Sequence, residues 1–95
     1  MYSIMKRYIV YGNVQGVGFR KWTRKNALEM NLNGFCRNRT DGTVEIVVGS
    51  NDDEAVNAFE MLLQEGPERA EVDRVEEKNR KRDVKPGFKI YKTKT

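Results

Sequence analysis

A strand-like run and an amphipathic run meet at a short turn spaced by glycines, and this junction restricts the chain more than any other feature. Residues 5–12, Met-Lys-Arg-Tyr-Ile-Val-Tyr-Gly, are rich in β-branched and aromatic types and end on glycine, which predicts a strand. A glycine-spaced turn follows, from Asn13 to Gly18. Beyond it Phe19, Trp22, Ala27 and Met30 fall close to helical spacing with Arg, Lys and Glu between them, so a helix is expected over 20–31. Asn31-Leu32-Asn33-Gly34 closes that helix with residues that tolerate the left-handed conformation.

The same reading carries through the remaining residues. Runs at 34–39 and 43–48 flank Thr40-Asp41-Gly42, a hairpin signal, and Val44, Ile46 and Val48 alternate as in a strand with one face firmly buried. Asn51 is placed to cap a second helix and Glu54 to complete a capping box. Ala55, Phe59, Leu62 and Leu63 form its apolar stripe, and Gly66-Pro67 ends it. Residues 70–77 predict a strand with one apolar face, residues 78–87 a basic loop, and Phe88-Lys89-Ile90-Tyr91 a short edge strand. The order is βαββαβ plus a terminal strand. That is the plan of an α+β, ferredoxin-like split βαβ sandwich, with two helices on one face of an antiparallel sheet.

Ninety-five residues suffice for one core, so a single domain spanning 1–95 is expected. Hydrophobic residues at 38% against charged residues at 34% fit a soluble folded chain with a heavily charged surface. No membrane-length apolar run or signal peptide is visible, so the expected compartment is the cytoplasm. A single cysteine, Cys36, agrees with a reducing compartment and reads as a small buried hydrophobe. Histidine is absent, which excludes Ser-His and Cys-His nucleophile pairs, His-containing zinc sites and imidazole acid/base chemistry.

The net charge of +4 conceals segregation: residues 1–40 hold eight Lys/Arg against one acid, Glu29, while residues 41–77 hold twelve acids and only Arg69 and Arg74. Residues 78–95 are again basic, with Asp83 their one acid. A pocket built by the N-terminal third would therefore favour anions. Solvated faces are the other reading of such runs.

The turn itself suits an anion. Glycines let consecutive backbone N–H groups curl inward into a nest, and the following helix adds its free N–H groups and positive dipole end. Arg20, at the helix start, can add a forked pair of bonds to two phosphate oxygens. The same glycines would also serve a tight turn that needs positive φ and binds nothing. The run is neither a P-loop, since no Lys-Ser or Lys-Thr follows, nor a dinucleotide fingerprint.

Gly12-Asn13-Val14-Gln15-Gly16-Val17-Gly18-Phe19-Arg20 resembles the first signature of the acylphosphatase family. Gly34-Phe35-Cys36-Arg37-Asn38, with Gly42, Val44 and Gly49 following, resembles the second, and the match stays in register from about Tyr8 to Val75. The resemblance implies a ferredoxin-like fold and hydrolysis of acyl phosphates to carboxylate and inorganic phosphate without metal or cofactor. It also implies functional roles for Arg20 and Asn38, and a phosphate cradle formed by the backbone N–H groups of Gln15, Gly16, Val17, Gly18, Phe19 and Arg20. The basic residues 78–87 and the Tyr-Lys-Thr-Lys-Thr end depart from the family pattern, which leaves the chemistry untouched.

Such chemistry fits a chain without histidine. An acyl phosphate leaves as a carboxylate whose conjugate acid titrates near about 4.3, so no general acid is needed. What remains is holding the anion and placing a water in line. In that reaction the Asn38 carbonyl would accept from water while its amide donates to a phosphoryl oxygen. Taken alone, Asn38 reads as a turn residue, and Arg37 and Arg39 as solvated strand residues. Trp22, Phe59, Leu62 and Leu63 read as core. A monomer is expected, with a small-molecule acyl phosphate as its partner and neither membrane nor nucleic acid. The alternatives are a non-catalytic phosphate-binding module and an RNA-binding ferredoxin-like module. RNA binding would want aromatics on the central strands, and residues 43–48 offer only Thr, Val, Glu and Ile.

Overall fold

Tyr8, Ile9 and Val10 are all buried although they point alternately to opposite faces, so the strand that carries them lies inside a sheet covered on both sides. A computed structural model describes residues 2–78 and 84–93. Its elements run β1 (Ile4–Asn13), α1 (Phe19–Glu29), β2 (Asn33–Asn38), β3 (Val44–Ser50), α2 (Asp53–Glu65), β4 (Glu71–Lys78) and β5 (Phe88–Ile90). The sheet order is β4-β1-β3-β2-β5. The βαββαβ order and the α+β, ferredoxin-like plan are those expected from the sequence.

The first four strands pair antiparallel, with Tyr8 opposite Ile46 and Cys36 opposite Ile46 on its other side. The fifth takes the expected edge position, but runs parallel to β2, with Cys36 opposite Ile90. A chain that reverses after β4 and crosses to the far edge arrives antiparallel to β4 and hence parallel to β2, which makes the sheet mixed.

Both helices pack on one face. Phe19 and Ala27 of α1 and Val56, Phe59 and Leu63 of α2 close over Tyr8, Val10, Cys36, Val44, Ile46 and Val48 in a single cluster. Trp22 and Leu62, read as core, are both half-buried, and Trp22 packs against the edge of this cluster. Thr23 joins the buried stripe of α1, which its hydroxyl tolerates by donating to Phe19 O at 2.8 Å. Asn31 takes φ 57°, the left-handed residue expected after α1.

Three local expectations shift. The cap of α2 is Asp52, whose Oδ1 accepts from Ala55 N at 3.2 Å; Asn51 instead accepts from Ser3 N at 2.6 Å, so the residue leading into β1 takes its side chain. Every residue of β3 is buried. Its second face is closed because Arg7 and Arg37 both bond Glu45, while Val84 and Tyr2 lie against Gly49. Lys78 ends β4 rather than opening the basic loop, and residues 79–83 of that loop lie outside the described residues. Beyond them Gly87 N donates to Asn33 Oδ1 at 2.9 Å, tying the approach to β5 against β2.

Candidate active site

The turn between β1 and α1 is anchored at both ends by buried apolar side chains, Val14 and Phe19. Between them Gly16 and Gly18 take φ of 74° and 78°. A Cβ built on either glycine would meet no protein atom within 4 Å, so crowding does not explain them. The backbone conformation does, and the space over them is open. Gly18 is the cap residue of α1 and supplies no side chain to the helix end. The first bond beyond it runs from Trp22 N to Gly18 O at 3.0 Å, which leaves the N–H groups of Phe19, Arg20 and Lys21 outside the helical ladder.

The open space is a cleft of about 240 Å³ lined by Val14, Gly16, Gly18, Phe19, Arg20, Lys21, Asn38 and Ile90. Two cations and no carboxylate stand among these residues, the anion-favouring balance expected of the N-terminal third. Its volume lies below the roughly 300–1,000 Å³ typical of pockets for drug-sized ligands. Among the described residues no cluster of three or more His, Cys, Asp or Glu could hold a metal ion.

Asn38 reaches the cleft from the last position of β2, paired with Val44. Its Oδ1 is buried and has no hydrogen-bond partner among the described residues. Beneath Arg20 lies Cys36, with Sγ 3.7 Å from Arg20 O. Burial pushes the Cys36 thiol up to about 12, against the lowering pull of Arg20 and Arg24, so it stays protonated near neutrality and is no nucleophile.

Of the residues singled out from the sequence, Gly16, Gly18, Phe19, Arg20 and Asn38 meet at this cleft. Gln15 and Val17 belong to the same turn but do not line it. The Gln15 side chain turns to the β2–β3 hairpin, its Nε2 donating to Arg39 O at 2.8 Å and to Thr43 O at 2.9 Å. Val17 packs against the core. Arg37 is engaged by the buried Glu45 at 2.6 Å, and Arg39 by Asp41 at 3.5 Å, so neither is simply solvated. Val14, Lys21 and Ile90 are the lining residues that the sequence did not single out. Lys21 was within reach, since it shares the free helix start with Arg20. Ile90 was not, because it arrives through the parallel pairing of β5 with β2.

The family model for acylphosphatase matches residues 6–90. An acylphosphatase from Nitratidesulfovibrio vulgaris is 47% identical over 70 residues, covering 74% of this chain and 69% of that one. One from Borrelia garinii is 39% identical over 89 residues, covering 90% and 96%. The crystal structure of acylphosphatase from Bacillus subtilis superposes with a TM-score of 0.85 at 32% identity, covering 92% of this chain and 97% of that one. The family's model thus runs from β1 through β5 and takes in both walls of the cleft, the glycine turn with Arg20 and the strand end with Asn38. This chain belongs to the acylphosphatase family.

Proposed function

We propose that this cleft is where acylphosphatase activity resides, and that Arg20, the turn N–H groups and Asn38 carry it without metal or cofactor. The observation that carries the reading is the Asn38 Oδ1: a buried acceptor with no partner among the described residues, on a residue that lines a cationic cleft, is left for a water or ligand to satisfy. The backbone N–H groups of residues 15–20 hold the phosphoryl oxygens, and Arg20 bonds two of them. The acyl group rests against Val14, Phe19 and Ile90.

Asn38 then holds water in line with phosphorus. The bond from the water oxygen to phosphorus forms as the bond from phosphorus to the acyl oxygen breaks, and that electron pair leaves with the carboxylate. The water proton passes to a phosphoryl oxygen, giving inorganic phosphate. No step calls for an imidazole. On this reading one chain completes the site and works as a monomer. A lone buried thiol suits the cytoplasm, and no helix of the described residues is long and apolar enough to cross a membrane.

The test is hydrolysis of benzoyl phosphate in EDTA. Folded protein accelerates loss of substrate, and no acceleration would refute the assignment. Arg20→Ala abolishes turnover and inhibition by inorganic phosphate while thermal unfolding stays nearly unchanged. Asn38→Ala keeps phosphate inhibition but loses roughly 10²–10³-fold in kcat, as for removal of one preorganised polar group. Normal turnover in Asn38→Ala would remove it from the mechanism.

A further inference from the structure

The two walls of the cleft stand on strands that are not neighbours in the sheet. The glycine turn follows β1 and Asn38 ends β2, while β3 lies between them in the sheet. In-line attack depends on the separation of these walls, because the cradle fixes phosphorus and Asn38 fixes the water. Something must set that separation.

The Gln15 side chain bridges it. Its amide nitrogen has two N–H groups, and the two carbonyls they meet, Arg39 O at 2.8 Å and Thr43 O at 2.9 Å, bound the turn of the hairpin immediately beyond Asn38. Those carbonyls also organise the turn, since Arg39 N donates to Thr43 O at 2.9 Å and Gly42 N to Arg39 O at 3.2 Å. One side chain thus grips both ends of a closed turn, one residue from the Asn38–Val44 rung. A residue needed only to make the glycine turn would have no use for a half-buried amide directed at another element.

We infer that Gln15 is a positioning residue: its side-chain amide braces the phosphate cradle against the β2–β3 hairpin and so holds the Asn38-bound water in line with the phosphoryl group. The inference rests on the water-positioning role of Asn38. It separates two functions within one residue, the backbone N–H serving the cradle and the side chain serving the opposite wall.

The experiment is a double-mutant cycle with benzoyl phosphate, reading kcat, KM and inhibition by inorganic phosphate, with thermal unfolding followed in parallel. Gln15→Met keeps the length of the side chain and removes both donors. It lowers kcat by about 10- to 100-fold, the scale of an ångström-level misplacement. KM and phosphate inhibition stay within about threefold of the parent, since the backbone N–H is intact. In an Asn38→Ala background the same substitution costs no further kcat. Gln15→Asn, whose amide falls one methylene short, shows the same split and serves if Gln15→Met does not fold.

Three outcomes overturn the inference: unchanged kcat in both Gln15 variants, loss of phosphate inhibition in proportion to kcat, or losses that multiply in the double variant. The second would make Gln15 part of the cradle alone, and the third would make it independent of Asn38. Failure of the underlying reading is distinguishable, because Asn38→Ala would then turn over normally by itself.

Discussion

An amide oxygen buried without a partner destabilises a protein by about 1–3 kcal/mol, and Asn38 Oδ1 is one. Stability does not account for such a group, which is why its place beside Arg20 is informative. Asn38→Ala removes the orphan acceptor along with the packing of its amide, so the unfolding free energy stays within about 1 kcal/mol of the parent while turnover collapses. Urea titration checks this, and a loss beyond about 2 kcal/mol would show that Asn38 props up the hairpin instead. Nothing in the residue order of 34–42 distinguishes a turn asparagine from one with a buried, unbonded oxygen. That distinction appears only when Ile90 and Lys21 come to line the same space. Arg20 was easier to read, because a strand, a glycine turn and a helix start are local, and their geometry aims an arginine there whatever the rest of the chain does.

At the scale of elements, the start of α2 and the direction of β5 show where local pattern yields to longer-range contact. Either Asn51 or Asp52 can cap a helix by chemistry, and the choice falls to Asp52 because Ser3 N occupies Asn51. Asp52→Ala therefore lowers stability by about 1 kcal/mol, in the range of a lost cap, and urea unfolding with a far-ultraviolet readout measures it. No change on losing Asp52 would contradict the capping geometry. The periods of the strands and helices were legible because each depends on residues a few positions apart. The parallel approach of β5 was not, since it depends on which edge is free after β4 has paired with β1. The Gln15 brace was hidden for the same reason: it joins residues 24 and 28 positions apart.

Across the whole molecule, the face of the sheet opposite the helices is held by charge, with no second helical layer among the described residues. Glu45 on β3 has a side chain only 3% exposed, and it receives bonds from Arg7 on β1 and Arg37 on β2, so one carboxylate ties the three inner strands together. Burial alone would raise the Glu45 carboxyl, but the Arg7 hydrogen bond and the charges of Arg37 and Arg7 outweigh it, and it lies below its ordinary value of 4.5. Asp41, in the hairpin turn, is also held low, chiefly by the Thr43 hydroxyl. A carboxyl depressed in the folded state contributes stability that is present above its unfolded value and is lost as pH falls through the folded one. Unfolding free energy therefore declines below about pH 4.5, as Glu45 is forced to take a proton between two guanidinium groups. Glu45→Gln, which cannot ionise, is less stable than the parent at pH 7 by about 1–3 kcal/mol, the worth of charge-assisted bonds to a buried group. The difference narrows as pH drops toward 3. Urea titrations of both proteins at pH 7, 4.5 and 3 decide it: a gap that stays constant over that span would mean that the carboxylate charge does not hold the three strands.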